Sequence, residues 1–205
     1  MKVLNLYAGI GGNRKLWNNC EVTAVEYNER IASVYQRLYP QDNVIVGDAH
    51  EYLRTNYDKF DFIWSSPPCQ SHSRMVKATR HKLDRYPDMT LYQQIIYLQN
   101  FFKGKWVVEN VVPYYEPLIN PTARVGRHLF WSNFSFKCDD IKRPKGFINS
   151  TNKEGRRQLQ DWLDIHFEEV IYYEGNHCPA QVLRNAVHPM IGKQILEEAI
   201  SYQWG

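Results

Sequence analysis

Cysteine is scarce and scattered. The chain of 205 residues holds four, Cys20, Cys69, Cys138 and Cys178, and no two of them form a C-x-x-C pair. That spacing excludes a zinc ribbon or finger and offers no disulfide framework. Long apolar runs are missing as well: none approaches the roughly 20 residues that span a bilayer. Excess charge of either sign is small, +3 from 25 basic and 22 acidic residues, so bulk charge alone selects no polyanionic partner. With Gly at 11 and Pro at 10, collagen-like and low-complexity chains are ruled out. No internal repeat and no long linker is visible. The first residues, MKVLNLYAGIGG, lack a signal peptide's pattern, because the apolar stretch is broken by Asn5 and runs into glycines. They predict a buried strand. These absences point to a cytoplasmic protein with no membrane and no metal partner. A hydrophobic share of 43% suffices for a core, and the length suits a single domain over residues 1–205.

What is present is alternation. Apolar runs at residues 3–7, 22–26, 44–46, 60–64 and 105–109 predict five strands. Between them, residues 13–19, 28–39, 49–56 and 90–103 predict helices; Ile31, Val34, Tyr35 and Leu38 fall at helical spacing before Pro40. Strands separated by helices imply an α/β fold, a mostly parallel twisted sheet with helices on both faces. Ligands of such sheets bind beyond the carboxyl ends of the strands. Further on, residues 128–136 suggest one or two more strands. Residues 139–153 are polar, basic and turn-rich, and residues 154–165 and 190–203 suggest helices.

Five features fall at those strand ends. Ala8-Gly9-Ile10-Gly11-Gly12 follows the first strand, where glycines let the backbone turn and approach a ligand. It is not the dinucleotide fingerprint, whose third spaced glycine is missing. Glu26 ends the second strand and Asp48 follows the third. Each acid alone is an ordinary solvated strand end. Together with the glycine loop they suit an adenosine ligand, the first acid accepting ribose hydroxyls. The fourth strand runs into Ser65-Ser66-Pro67-Pro68-Cys69-Gln70, where two prolines fix the backbone before a thiol. A cysteine is usually a core residue; in a polar loop at the binding edge it is a candidate nucleophile. The fifth strand ends in Val107-Val108-Glu109-Asn110-Val111, and a carboxyl group there is partly buried and inclined to hold a proton.

In this order the motifs resemble those of the cytosine-5 DNA methyltransferases. NLYAGIGG (Asn5–Gly12) looks like the cofactor motif, with Tyr7 where Phe is usual. VEYNE and VGDA resemble the second and third motifs. SSPPCQSHS (Ser65–Ser73) is similar to the catalytic-cysteine motif and VVENV (Val107–Val111) to the catalytic-glutamate motif. ARVGRHLFWSN (Ala123–Asn133) resembles the arginine motif, RRQLQDW (Arg156–Trp162) faintly the motif before the last helix, and RNAVHP (Arg184–Pro189) the closing one, with Arg184 where Gly is usual.

The resemblance implies a Rossmann-like S-adenosylmethionine-dependent methyltransferase fold. It also implies methyl transfer to carbon 5 of a flipped-out cytosine in double-stranded DNA, leaving S-adenosylhomocysteine as product. Cys69 would be the nucleophile, Glu109 the acid at ring nitrogen 3, and Arg127 the contact to the base or its phosphate, with Arg124 and His128 as alternatives for that place. The cofactor would meet Tyr7, Ala8, Gly9, Gly11, Gly12, Glu26, Tyr27, Asp48, Ala49, Pro67, Asn185 and Ala186. DNA would meet Gln70, Ser71 and Ser73, the basic run Arg74, Lys77, Arg80 and Lys82, and Arg124 and His128. A charge run is usually only a solvated face; beside the cysteine motif its cations suit phosphates.

The family usually carries a large target-recognition region, whereas residues 134–155 form only a short basic insert here. Such a compact enzyme would be a monomer or weak homodimer and would suit a restriction partner or mobile element. The rivals are an RNA (tRNA) cytosine-5 methyltransferase, an exocyclic-amine methyltransferase, a catalytically weak DNA-binding regulator and a Rossmann oxidoreductase. Cys69 argues against the second, the intact Cys69–Glu109 pair against the third, and the glycine pattern against the last.

Overall fold

The computed structural model describes residues 1–73, 86–144, 153–172 and 178–201. The basic run containing Arg74, Lys77, Arg80 and Lys82 lies outside the described residues, as does most of the basic insert after residue 144.

The chain order is β1 (Lys2–Leu6), β2 (Glu21–Glu26), α1 (Glu29–Leu38), β3 (Asn43–Val46), α2 (Ala49–Asn56), β4 (Phe62–Ser65), α3 (Thr90–Phe101), β5 (Lys105–Val111), β6 (Ala123–Val125), β7 (His128–Ser132), α4 (Lys153–Leu163), α5 (Gln181–Asn185) and α6 (Pro189–Ser201). The sheet runs β3-β2-β1-β4-β5-β7-β6. The first five of these strands are parallel, and β7 and β6 close the edge antiparallel. Strand order reverses between β1 and β4, which opens a crevice at their carboxyl ends.

Local chemistry explains the helix starts at that edge. Asn28 accepts the N–H groups of Arg30 and Ile31 and so caps α1, and Asp48 accepts those of His50 and Glu51 and caps α2. Alternation across the strands then sorts the core into two layers. Leu4, Leu6 and Ile63 pack on Leu91, Ile95 and Leu98 of α3. Val3, Phe62 and Trp64 face the other way, toward Ile191 and Ile195 of α6. Phe62 and Trp64 are fully buried, and truncating either to Ala would cost about 3–5 kcal/mol. Ile31 and Val34 of α1 meet Leu159 and Leu163 of α4 and Leu183 of α5, which fastens the C-terminal third to the glycine-loop side of the sheet.

One helix expectation needs correction, and two short elements, β6 and α5, were not foreseen. Residues 13–19 form turns rather than a helix. Trp17 there tucks between Phe62 and Trp64 and donates its indole N–H to the Gly192 carbonyl at 3.0 Å, and Asn19 turns the chain with φ 56°. The stretch is pinned by these tertiary contacts, which override its helical pattern. Of the one or two strands expected over residues 128–136, one forms, β7, and its partner β6 precedes residue 128. The chain after Ser132 is irregular as far as residue 144, so residues 133–136 belong to no strand. The five-residue helix α5 also went unpredicted.

Candidate active site

One open cavity of about 1300 Å³ lies at the carboxyl ends of β1 to β5, at the switch point. Residues from the C-terminal third complete its wall: Tyr172, Val182, Asn185, Ala186 and Val187. The glycine loop and that wall are nearly in contact. A Cβ at Gly12 would sit 2.4 Å from the Val187 carbonyl oxygen and 2.9 Å from Ala186 Cβ, so only glycine permits the approach.

Glu26 lies at one end, almost wholly buried. Its Oε2 accepts the Gly9 N–H and its Oε1 the Asn28 N–H, both at 2.9 Å. Each carboxylate oxygen has a second acceptor position, so the group can still receive two vicinal hydroxyls. Burial raises the carboxyl pKa, and the backbone donors oppose the rise. Asp48 lines the same end while its Oδ1 caps α2. Tyr7 adopts φ 55°, lines the cavity and shares its hydroxyl with buried Gln94, whose other side-chain atom receives the Ser65 hydroxyl. These donors and acceptors fit an adenosine-bearing cofactor.

Cys69, after β4, and Glu109, on β5, line the same cavity two and three strands away from β2, which carries Glu26. The cysteine loop is held from both sides. Asn110 donates through Nδ2 to the Pro67 carbonyl at 3.0 Å. The N–H groups of His72 and Ser73 both donate to the Cys69 carbonyl, at 3.1 and 3.0 Å. His72 is buried and bonded to the Tyr115 hydroxyl. Burial pushes the Cys69 thiol up to about 11; the negative charge of Glu109 adds to the rise and Arg127 opposes it. Burial likewise pushes the Glu109 carboxyl up to about 7, against the Ser66 hydroxyl and the cations Arg127 and Arg143. Glu109 can therefore carry a proton near neutral pH.

Arg127 sits at the tip of the β6–β7 hairpin. Gly126, with φ 56°, supplies the turn's first central residue. Arg127 donates from Nε to His128 Nε2 at 3.2 Å and from Nη2 to the Arg184 carbonyl at 3.1 Å, so the arginine motif is tied to the closing motif.

Of the residues singled out in the sequence, Tyr7, Ala8, Gly9, Gly12, Glu26, Tyr27, Asp48, Ala49, Pro67, Cys69, Gln70, Glu109, Arg127, His128, Asn185 and Ala186 line the cavity. Gly11 does not: its carbonyl accepts the Tyr39 hydroxyl at 2.8 Å behind the loop. Nor do Ser71, whose hydroxyl accepts the Asp88 N–H, or Ser73, paired with Pro113. Arg124 is exposed on β6 and bonds to the Gly126 carbonyl, which leaves Arg127 and His128 as the basic residues of that motif on the cavity. Sequence reasoning missed Ser66, Asn110 and Tyr172 as lining residues. The first two stand inside the quoted motifs and were open to inference, whereas Tyr172 has no motif around it.

A family profile described as C-5 cytosine-specific DNA methylase matches residues 1–115. The tRNA (cytosine(38)-C(5))-methyltransferase of Homo sapiens is 28% identical over 151 residues, covering 60% of this chain and 38% of that protein. Its namesake from Spodoptera frugiperda is 34% identical over 83 residues, covering 37% of this chain and 25% of that protein. The chain thus spans well under half the length of these two relatives. Among solved structures, the Entamoeba histolytica methyltransferase EhMeth superposes with a TM-score of 0.58 at 10% identity, covering 98% of each chain. That likeness is one of fold: the sheet is the Rossmann-like sheet of S-adenosylmethionine-dependent methyltransferases.

Proposed function

Because the chain belongs to the C-5 cytosine-specific DNA methylase family, we propose that it methylates carbon 5 of a cytosine in nucleic acid, with duplex DNA as the substrate. The cofactor is S-adenosylmethionine, which supplies an electrophilic methyl group when bound. Glu26 would receive the ribose hydroxyls, and Asp48, Tyr7 and the Gly9 and Gly12 backbone the rest of the nucleoside and its tail. One observation carries the reading: Cys69 and Glu109 open onto the cavity that Glu26 also lines.

Carbon 5 of cytosine is too poor a nucleophile to be methylated directly. In this reading the Cys69 sulfur bonds to ring carbon 6 while Glu109 gives a proton to ring nitrogen 3. The ring becomes an enamine with no net charge, and carbon 5 becomes nucleophilic. After methylation a base takes the carbon 5 hydrogen, the electrons re-form the 5,6 double bond, the sulfur leaves, and the proton on ring nitrogen 3 returns to Glu109. Covalent catalysis of this kind splits one hard step into easier ones. The proton inventory is consistent with the free-protein state. A Cys69 thiol beside a Glu109 carboxylate holds as many protons as a thiolate beside a carboxylic acid, so the reactive form is a rearrangement within the site. A base inside a duplex is out of reach, so the target cytosine has to swing out of the stack. Gln70, Arg127 and His128 on the cavity, and the basic run of Arg74, Lys77, Arg80 and Lys82, would hold the strand.

A second substrate reading, a tRNA cytosine, is favoured by the names of the two relatives. The same site serves either polymer. Incubating the protein and labelled cofactor with duplex DNA and with tRNA, followed by bisulfite sequencing, separates the two. Cys69→Ala should abolish transfer and leave cofactor binding nearly intact. Near-normal turnover by that variant would remove the sulfur from the reaction.

A further inference from the structure

Arg143 comes from a stretch whose sequence is notable only for its basic charge. After β7 the chain doubles back along the α6 side of the sheet. Phe134 and Phe136 join the aromatic cluster of Phe62 and Phe130. The Asp139 N–H donates to Gln194 of α6 at 3.1 Å, and the Lys142 carbonyl accepts the Trp162 indole N–H at 3.1 Å. Arg143 is thereby delivered, half-buried, behind the cavity wall. Its Nη2 lies 3.5 Å from Nε2 of His128. The Nε–H of Arg127 meets the same nitrogen at 3.2 Å, and Glu109 Oε1 is 3.8 Å from it. His128 and Glu109 are both buried.

A neutral imidazole has one N–H and one acceptor nitrogen, while a guanidinium only donates. Two guanidinium groups converging on Nε2 make it the acceptor and leave the proton on Nδ1. We propose that Arg143 is a positioning residue for Glu109, which with Arg127 holds His128 in the tautomer whose bare Nε2 faces the carboxyl group. The inference rests on the reading of Glu109 as the residue that holds a proton for the base. An Nε2–H would donate to the carboxylate and favour its ionised form. A bare nitrogen offers no such donor, so the only pull of this cluster toward the ionised carboxylate is the charge of the two arginines, which burial outweighs. Arg143 does this at 3.5 Å, mostly as a positive charge in a dry site, and the site is crowded with charge. Glu109 faces Cys69 and Ser66 from the loop after β4, Arg127 and His128 from the hairpin, and Arg143 from the returning segment; Asp140 acts on Arg143. Burial and both arginines hold His128 well below its ordinary range, consistent with a neutral ring.

The test uses the whole chain with 15N-labelled histidine, and variants Arg143→Gln and Arg143→Lys. Nitrogen–proton correlation spectra read the tautomer, the His128 signals being assigned by their loss in His128→Asn. The wild type should show an unprotonated Nε2 at pH 6.5. In Arg143→Gln the ring should take up a proton at a pH higher by about one unit, and Arg143→Lys should restore most of the original behaviour. The acidic limb of kcat/KM should move to higher pH in Arg143→Gln. The relative loss of activity should be confined to the acidic side of the profile and should vanish by pH 9. An unchanged His128 titration, or a loss of activity equal at all pH values, would overturn the proposal. Should the wild type transfer no methyl group to any nucleic acid, the functional reading fails, and the imidazole titration alone still decides the place of Arg143. If Arg143→Gln does not fold, the smaller shift expected of Arg143→Lys decides it.

Discussion

Thiol chemistry at Cys69 can be worked from the structure before any substrate is known. Burial and the charge of Glu109 move the group from its ordinary 9.0 to about 11. At pH 8 an ordinary thiol is roughly one-tenth ionised, and one at about 11 is ionised in roughly one molecule per thousand. The rarer thiolate is also the better nucleophile: a Brønsted slope of about 0.4–0.5 over two units returns roughly a factor of six to ten. Cys69 should therefore react with iodoacetamide about tenfold more slowly than N-acetylcysteine at pH 8, measured by peptide mass spectrometry. Glu109→Gln removes the second cause of the shift, so the rate at Cys69 should rise. Arg127→Ala removes the opposing charge, so the rate should fall. Alkylation at the reference rate, or no response to Glu109→Gln, would show that the two groups do not share the dry site described here.

The buried Glu109 also makes stability depend on pH. Its carboxyl is raised in the fold from 4.5 to about 7, so the folded state binds the extra proton. The penalty is absent below 4.5, grows between 4.5 and 7, and is complete above. Glu109→Gln should consequently be stabler than the wild type by up to about 3 kcal/mol at pH 8, a gap that shrinks toward pH 5 in thermal melts. Gly12→Ala should force the loop off residues 186–187 and weaken S-adenosylmethionine binding at least about tenfold by calorimetry. Tyr7→Phe leaves the buried Gln94 amide short of a partner, which should cost about 1–2 kcal/mol in a denaturant titration while the ring stays in place.

The parallel half of the fold was legible because its strands are apolar runs punctuated by Gly, Pro and capping residues. Asn28 and Asp48 mark their helix starts in the sequence as clearly as in space. The stretch after Gly12 departs from the helical expectation because Trp17 answers to the distant Gly192 carbonyl and Asn19 turns the chain with φ 56°. β6, three residues long, has no periodicity to detect. The cavity-lining residues at the strand ends were legible for a different reason. Strand ends are positions in the sequence, and the topology collects them at one edge. Arg143 was not, since nothing in a basic run says which cation will be turned inward. That depends on where Phe134, Asp139 and Lys142 anchor the returning chain.

The most direct measurement is covalent capture. An oligonucleotide carrying 5-fluorocytosine lacks the hydrogen that a base must remove, so the sulfur cannot leave once the ring has been methylated. Incubated with S-adenosylmethionine and the protein, it should give a denaturant-resistant adduct whose mass maps to the peptide containing Cys69, and Cys69→Ala should give none. An active preparation that methylates cytosine but forms no such adduct would contradict the account.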